Sequence, residues 1–163
     1  LETGSNSTAT FRIQQAIKEI DNEYFFLTYG DVISNIDVSM MLQSHIRRHS
    51  KISMALVKAR MPYGRVMLDE NNKVYDFIEK PILEHWINAG FFVIDKGLFT
   101  DADPELEFES NFLPEILKDG QSFYGFKHHD FWAGIDTYKD LIALQDQWES
   151  IQKTKLFPDG EEQ

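Results

Sequence analysis

Largely apolar runs alternate with segments of helical periodicity along the first half of this chain, and the alternation restricts the folds open to it. Residues 24–29 and 52–57 read as strands buried on both faces. Two segments with apolar residues at helical spacing follow helix-capping residues, which are Ser7 or Thr8 in one case and Asp37 in the other. The pattern predicts an α/β layer architecture with a mixed, mainly parallel sheet.

A predicted β-hairpin then interrupts this alternation. Residues 65–69 and 74–78 flank the turn-forming triplet Glu70-Asn71-Asn72. The remaining predicted elements are strands at 86–94 and 123–126 and helices at 113–117 and 136–152. We expect one domain over residues 1–156, followed by a frayed tail over 157–163.

Composition excludes several classes of protein. The 163 residues carry a net charge of −11, whereas a nucleic-acid binder needs a basic footprint. No apolar stretch approaches the roughly 20 residues that a membrane helix requires. There is no cysteine, so disulfides and thiolate metal sites are excluded. We therefore expect a cytoplasmic protein that binds neither nucleic acid nor membrane.

Two aspartates are candidate ligands of a divalent metal. Asp31 ends the apolar run in Tyr29-Gly30-Asp31, and in open α/β sheets ligands bind beyond the carboxyl ends of strands. Asp136 follows Phe131-Trp132 and opens the last predicted helix. Each has an ordinary alternative: Asp31 as a turn residue bonded to its own backbone, and Asp136 as a helix N-cap.

One lysine is a candidate for binding a phosphate. Lys80 lies in Phe77-Ile78-Glu79-Lys80-Pro81, where the proline favours an extended conformation for the lysine. Its ammonium group suits a phosphate, and Glu79 suits sugar hydroxyls. The alternative is a solvated lysine paired with Glu79.

A third set of residues could border a ligand. Gly64 and Gly90 would let backbone approach it closely, or else mark a turn or bulge. Asn88 would bind a hydroxyl, or else lie at a strand edge. The five histidines show no metal-binding spacing and receive no ligand role. The aromatic residues near these motifs, Phe91, Phe92, Phe131 and Trp132, are expected mainly in the core.

Taken in order, these motifs resemble the sugar-1-phosphate nucleotidyltransferases, most closely the glucose-1-phosphate cytidylyltransferase branch. The resemblance runs from Thr3-Gly4 nearly to the C-terminus. The segments that carry it are Phe26 to Asp31, Tyr63-Gly64, Phe77 to Pro81, Ile87 to Val93, and Phe131-Trp132 through Asp136-Thr137.

The resemblance implies a Rossmann-like α/β fold and a Mg²⁺-dependent transfer from a nucleoside triphosphate to a sugar 1-phosphate. CTP and glucose 1-phosphate are the favoured substrates. By position, Asp31 and Asp136 match the metal-binding carboxylates, and Lys80 matches the lysine that holds the sugar phosphate. The residues implied around the substrate are Tyr63, Gly64, Glu79, Asn88 and Gly90.

The sequence departs from the family pattern in several places. The glycine-rich triphosphate loop is absent, and Val32 replaces the glycine after the metal aspartate. Thr10-Phe11 and Gly134-Ile135 replace paired glycines and a proline-methionine. We therefore expect a C-terminal part of the domain, with a sheet that is incomplete at its N-terminus. Its open strand edge would pair with a missing N-terminal segment or with another copy in a homo-oligomer.

Two other functions stay open at this point. One is a non-catalytic remnant that binds a sugar phosphate or serves in assembly, which the missing loop favours. The other is a metal-dependent glycosyltransferase, which shares the fold type. Such enzymes usually carry paired acids at a strand end, but Val32 and Ile33 follow Asp31 here, so this alternative ranks last.

Overall fold

The computed structural model describes residues 2–4 and 6–156, so the predicted tail over 157–163 lies outside the described residues. The strands are β1 (Tyr24–Thr28), β2 (Val32–Ser34), β3 (Ile52–Val57), β4 (Arg65–Leu68), β5 (Val74–Ile78), β6 (Ile87–Asp95), β7 (Phe123–Lys127) and β8 (Trp132–Gly134). The helices are α1 (Ala9–Ala16), α2 (Val38–Arg47), α3 (Leu113–Lys118), α4 (Tyr138–Asp146) and α5 (Trp148–Ile151). Short 3₁₀ turns follow α1 and β6, and single π-helical segments occur at Phe108–Phe112 and Gln152–Leu156.

A four-stranded sheet in the order β1-β6-β3-β7 forms the centre of the molecule. β3 and β7 are parallel, whereas β6 lies antiparallel between β1 and β3. Strands β1, β3 and β7 therefore run in one direction and β6 runs against them. The predicted mixed α/β sheet is confirmed. Within the described chain, β1 has a neighbour on one side only.

Two apolar cores cover the two faces of this sheet. The α3-side core packs α1, α3 and the π-helical segment Phe108–Phe112 against residues such as Phe25, Phe92 and Ile94. The α2-side core packs α2 against Ala55, Val57, Ala89 and Val93. Because successive side chains of a strand point to opposite faces, Phe92 and Val93 contribute to different cores.

Local sequence signals explain where the helices begin. Thr8 caps α1 by accepting a hydrogen bond from the Phe11 N–H at 3.1 Å, and Asp37 caps α2 through the Met40 N–H at 2.8 Å. The last predicted helix, 136–152, was wrong in its bounds. Thr137, in a capping box with Asp140, starts α4 at Tyr138, and the helix is interrupted at Gln147, where ψ is 0°.

Two further pairs of strands are separate from the central sheet. β4 and β5 form the predicted hairpin, with Asn72 in its turn at φ 64°. The other pair, β2 with β8, was not predicted. It joins Val32 to Gly134 and Ser34 to Trp132 in antiparallel register. Three-residue strands are too short to show alternation in the sequence.

A histidine lies fully buried on the α2 side of the sheet. His45 has no exposed surface and shares a 2.9 Å hydrogen bond between its Nδ1 and Ser53 Oγ. Its Nε2 has no partner among the described residues. Burial lowers the pKa of His45 below the usual value of 6.5, because a charged imidazolium loses its hydration there.

We predict that this histidine makes the protein less stable in mild acid. The unfolded chain binds the proton more tightly than the folded chain, so the unfolding free energy falls as the pH drops below about 6.5, by up to about 1.4 kcal/mol per pH unit. His45→Gln should flatten that slope, whereas His85→Gln, at an exposed histidine, should not. Urea unfolding measured between about pH 7.5 and about pH 5.5 checks this. Equal slopes in all three proteins would contradict it.

Candidate active site

Asp31 lies in the tight turn that connects β1 with β2. The apolar residues of β1 are held by pairing with β6, and the Tyr29 N–H extends that pairing by donating to Gly90 O at 2.9 Å. The Asp31 side chain is exposed and makes no hydrogen bond or ion pair within the described residues. Its carboxylate is therefore not used by the turn itself and stays available to a ligand.

Asp136 lies just beyond β8, before α4. The N-cap of that helix is Thr137, whose hydroxyl accepts a hydrogen bond from the Asp140 N–H at 3.2 Å. The alternative role of Asp136 as the N-cap is thus taken by its neighbour. Within the described residues the exposed Asp136 carboxylate has no hydrogen-bond partner.

Pairing of β2 with β8 brings the two aspartates to the same end of one ribbon. The Ile135 N–H donates to Asp31 O at 2.8 Å, so the backbone of residue 31 lies opposite the residue that precedes Asp136. The Asp136 carboxylate lies over Gly134, where an added Cβ would be 3.8 Å from Oδ2. The structure therefore brings the backbones of these two candidate metal ligands close together at one end of the ribbon.

Asn88 and Gly90 lie next to this turn, on the α3 side of β6. Asn88 Nδ2 donates to the Tyr29 hydroxyl at 3.0 Å, and its Oδ1 accepts from the Gly90 N–H at 2.8 Å. Gly90 has φ 77°, and a Cβ there would lie 2.9 Å from Tyr29 Cδ2. Both the backbone conformation and the contact with the tyrosine ring require glycine at this position.

Sequence reasoning missed Glu109, which completes this group. The Tyr29 hydroxyl donates to Glu109 Oε1 at 2.6 Å. Burial, followed by the hydrogen bond and negative charge of Glu109, raises the pKa of Tyr29, and Asp31 adds to the shift. Glu109 lies in the π-helical segment Phe108–Phe112 and follows two other glutamates, Glu105 and Glu107, so no motif distinguished it from its neighbours. We call Tyr29, Asn88, Gly90 and Glu109 the tyrosine cluster.

Gly64 and Glu79 face each other at the open end of the β4–β5 hairpin. A Cβ on Gly64 would lie 2.5 Å from Phe77 Cζ and 3.1 Å from Glu79 Oε2, so the missing side chain leaves room for both groups. Tyr63, beside Gly64, is 73% exposed. These residues form a second group, apart from the tyrosine cluster.

Lys80 has a different backbone conformation from the one predicted. The residue before a proline normally adopts an extended conformation, but Lys80 has φ 45° in the left-handed region. Tertiary contacts on both sides of the residue outweigh the local preference: Arg60 Nη1 donates to Lys80 O at 2.9 Å, and the Met61 N–H donates to Pro81 O at 2.8 Å. The Lys80 side chain is exposed and forms no ion pair with Glu79 within the described chain.

The predicted site residues thus form two groups at the carboxyl ends of the strands. Asp31 lies just after β1. The segment of Arg60 and Met61, which binds the backbone at Lys80 and Pro81, follows the same end of β3, since β1 and β3 run in one direction. Among residues 2–4 and 6–156, no hydrogen bond or ion pair joins Lys80, Glu79 or Gly64 to either aspartate. A ligand that bridges the hairpin and the ribbon would be needed to connect them.

Other features of the described chain give less information about a ligand. The histidines and acids there form no group of three or more that could hold a metal ion, which does not bear on a site built from two carboxylates and substrate phosphates. The described helices include none of sufficient length and apolar character to cross a bilayer.

The chain belongs to the nucleotidyl transferase family, whose model matches residues 2–151. It is 32% identical over 155 residues to a probable glucose-1-phosphate cytidylyltransferase of Bacillus subtilis (strain 168), and 30% identical over 154 residues to a glucose-1-phosphate cytidylyltransferase of Salmonella typhi. The alignments cover 94% and 91% of this chain. The predicted resemblance to sugar-1-phosphate nucleotidyltransferases is confirmed.

The chain spans 60% and 58% of the length of these two curated relatives. Among solved structures, it is similar to HddC from Yersinia pseudotuberculosis, with a TM-score of 0.66, 21% identity, and coverage of 86% of this chain and 62% of that one. A putative glucose-1-phosphate thymidylyltransferase from Bacillus anthracis matches with a TM-score of 0.63 and 16% identity, over 88% of this chain and 62% of that one. At these identities the structures establish the fold.

We predict that a methyl group at Gly90 will disturb the tyrosine cluster. Gly90→Ala should destabilise the protein by about 2–4 kcal/mol, because it adds contact with Tyr29 to the strain of a left-handed alanine. Gly120→Ala is the matched control, since Gly120 has φ 68° and open space around it. It should cost only about 1–2 kcal/mol. Denaturant unfolding of both variants measures the difference, and equal losses would show that the Tyr29 contact is unimportant.

Proposed function

We propose that this chain transfers a nucleotidyl group from a nucleoside triphosphate, with CTP favoured, to a sugar 1-phosphate, with glucose 1-phosphate favoured. The observation that carries the proposal is the approach of the Asp31 backbone to the residue before Asp136 at one end of the β2–β8 ribbon. Family membership and the two cytidylyltransferase relatives support the reaction class and the choice of substrates. The HddC structure complexed with GMP-PN is consistent with a nucleotide ligand for this fold.

The two aspartates suit a magnesium ion. Both carboxylates are exposed and uncommitted in the described structure, and Mg²⁺ is commonly bound by one or two carboxylates together with substrate phosphates. A bound Mg²⁺ would neutralise phosphate charge and orient the triphosphate. Asp31 and Asp136 would hold it, since the hydrogen bond from the Ile135 N–H to Asp31 O fixes the residue before Asp136 against the turn at Asp31.

The remaining residues would bind and orient the sugar phosphate. An oxygen of the sugar 1-phosphate attacks the α-phosphorus in line. A new P–O bond forms as the bond to the β-phosphate breaks, and its electron pair leaves with pyrophosphate. The attacking oxygen is already anionic, so no general base is needed, and Lys80 would offset its charge. Glu79, Asn88 and the Tyr29–Glu109 pair offer acceptors and donors to sugar hydroxyls.

Loss of either aspartate is expected to slow the reaction strongly. With CTP, glucose 1-phosphate and MgCl₂, Asp31→Asn or Asp136→Asn should lower the rate of pyrophosphate release by about 100-fold or more, since each removes a metal ligand. Asp146→Asn, at an exposed residue near the end of α4, is the control and should keep the parent rate. A rate that persists in both site variants would remove the aspartates from the metal site.

The charge of Lys80 can be tested separately from its backbone conformation. Lys80→Asn removes the ammonium group, yet asparagine tolerates the left-handed region better than most residues. It should weaken binding of glucose 1-phosphate, measured by titration calorimetry, by about tenfold or more. Lys73→Gln, in the hairpin turn, should bind as tightly as the parent. Unchanged affinity in Lys80→Asn would exclude the phosphate role.

A second candidate is a non-catalytic module that binds the sugar phosphate. It would use the hairpin group of Gly64, Glu79 and Lys80, which no hydrogen bond or ion pair joins to either aspartate within the described residues. The two experiments above separate the candidates. Binding that depends on Lys80, without pyrophosphate release by the parent chain, supports the module, whereas turnover that depends on Asp31 supports the transferase.

A further inference from the structure

The β4–β5 hairpin exposes apolar side chains on one of its faces. Val66 lies opposite Phe77 and Leu68 lies opposite Val74, and these four residues are between 49% and 58% exposed. Residues two apart on a strand, and residues opposite each other on paired strands, share a face. In the described chain the hairpin is a two-stranded sheet of its own, and such a sheet is only marginally stable in water. This face therefore lacks the partner that its apolar character requires.

The outer edge of β4 has a regular backbone that could pair with another strand. The Asp69 N–H donates across the hairpin to Lys73 O at 3.0 Å. Because backbone groups alternate in direction along a strand, those of Met67 also face β5, whereas those of Val66 and Leu68 point outward. No third strand of the described chain pairs with this edge. The three central residues of β4 carry neither a charge nor a proline, which are the usual obstacles to edge pairing.

The charges that flank these residues favour a second copy of the same strand. Two antiparallel copies of β4, related by a two-fold axis at Met67, place Arg65 of each copy opposite Asp69 of the other. The same register places Val66 opposite Leu68, so the apolar faces of the two hairpins become continuous. Opposite charges and apolar groups at facing positions both stabilise a sheet. The sequence of β4 is therefore complementary to itself.

Both charged side chains have groups left for this contact. Asp69 Oδ1 accepts hydrogen bonds from the N–H groups of Asn71 and Lys73, at 2.9 Å each. Its Oδ2 has no partner within the described residues. Arg65 Nη1 forms an ion pair with Glu84 Oε1 at 3.2 Å, but a guanidinium has five N–H donors. Each side chain can thus meet a second partner without losing its first.

The other edge of the hairpin is less suited to pairing. From Met67–Asp76 to Leu68–Val74 the register advances one residue on β4 and two on β5, so Tyr75 is an extra residue in β5. A bulge of this kind disrupts an edge. Asp76 is also the central residue of β5, and two-fold pairing there would set two carboxylates opposite each other, which is destabilising. The pairing edge is therefore that of β4.

From these observations we infer that two copies of this chain form a two-fold dimer through the outer edges of their β4 strands. The two hairpins then make one four-stranded antiparallel sheet. Gly64 lies on the same face as Phe77, so the dimer braces the hairpin that carries Glu79 and Lys80. The inference does not depend on the proposed nucleotidyl transfer, because no residue from Arg65 to Asp69 is assigned to that reaction.

A cysteine at the two-fold axis tests the register directly. The chain has no cysteine, so Met67→Cys introduces a single thiol. Residues opposite each other in a non-hydrogen-bonded antiparallel pair have Cα atoms about 4.5 Å apart, a separation that a disulfide spans. Mild oxidation should convert Met67→Cys to a covalent dimer on non-reducing denaturing gels. Tyr75→Cys, on the bulge of the other strand, should stay monomeric there. Equal cross-linking of the two variants, or none in Met67→Cys, would overturn the inference.

Sedimentation velocity measures the association itself. Leu68→Lys puts a charge at the edge of β4 and should raise the dissociation constant of the dimer about tenfold or more. Phe26→Lys is the matched control, since Phe26 is 50% exposed on β1, at the border of the central sheet, and Leu68 is 52% exposed. It should associate like the parent. A dimer that dissociates in Phe26→Lys and persists in Leu68→Lys would place the interface at β1 and overturn the inference, as would a parent chain that is monomeric at every concentration.

Charge reversal tests the contact between Arg65 and Asp69. Arg65→Glu sets like charges opposite each other at both ends of the paired strands and should weaken the dimer about tenfold. Glu84→Gln breaks only the ion pair within the chain and should leave the dissociation constant unchanged. Equal effects of the two substitutions would show that the loss of the internal ion pair is responsible, and would overturn the proposed register.

Discussion

Pairing of two three-residue strands is the constraint on which the candidate site depends. β2 and β8 come from distant parts of the sequence, and their register fixes the turn at Asp31 against the residue before Asp136. Neither carboxylate is held by hydrogen bonds of its own in the described structure. Backbone hydrogen bonds therefore set their relative position, and the side chains remain free to meet a cation. The half-buried Trp132 ring, whose Nε1 donates to Ala89 O, ties the ribbon to the central sheet.

Much of the fold follows from local sequence. The apolar runs became β1 and β3, and the triplet Glu70-Asn71-Asn72 became the turn of the hairpin. Capping residues located the starts of α1 and α2, because a side-chain acceptor near a free N–H acts over only three residues. These signals are short-range, so a single sequence displays them.

Features that depend on distant contacts could not be predicted in the same way. The Lys80 backbone was predicted to be extended, but it lies in the left-handed region, where tertiary hydrogen bonds from Arg60 and Met61 hold it. Glu109 reaches Tyr29 only because the π-helical segment packs against β6 in the α3-side core. The approach of Asp31 to Asp136 was inferred from a family resemblance, since no periodicity in the chain relates the two residues.

The position of β1 at the border of the sheet has a consequence for its backbone. Along an antiparallel strand, alternate residues direct their N–H and C=O groups to opposite sides. In β1 every second peptide therefore faces away from β6, and Phe26 on this strand is 50% exposed. Those amide protons should exchange with deuterium oxide faster than the protons of the intervening residues. If these amide protons became protected from exchange, another strand would have paired with the free side of β1.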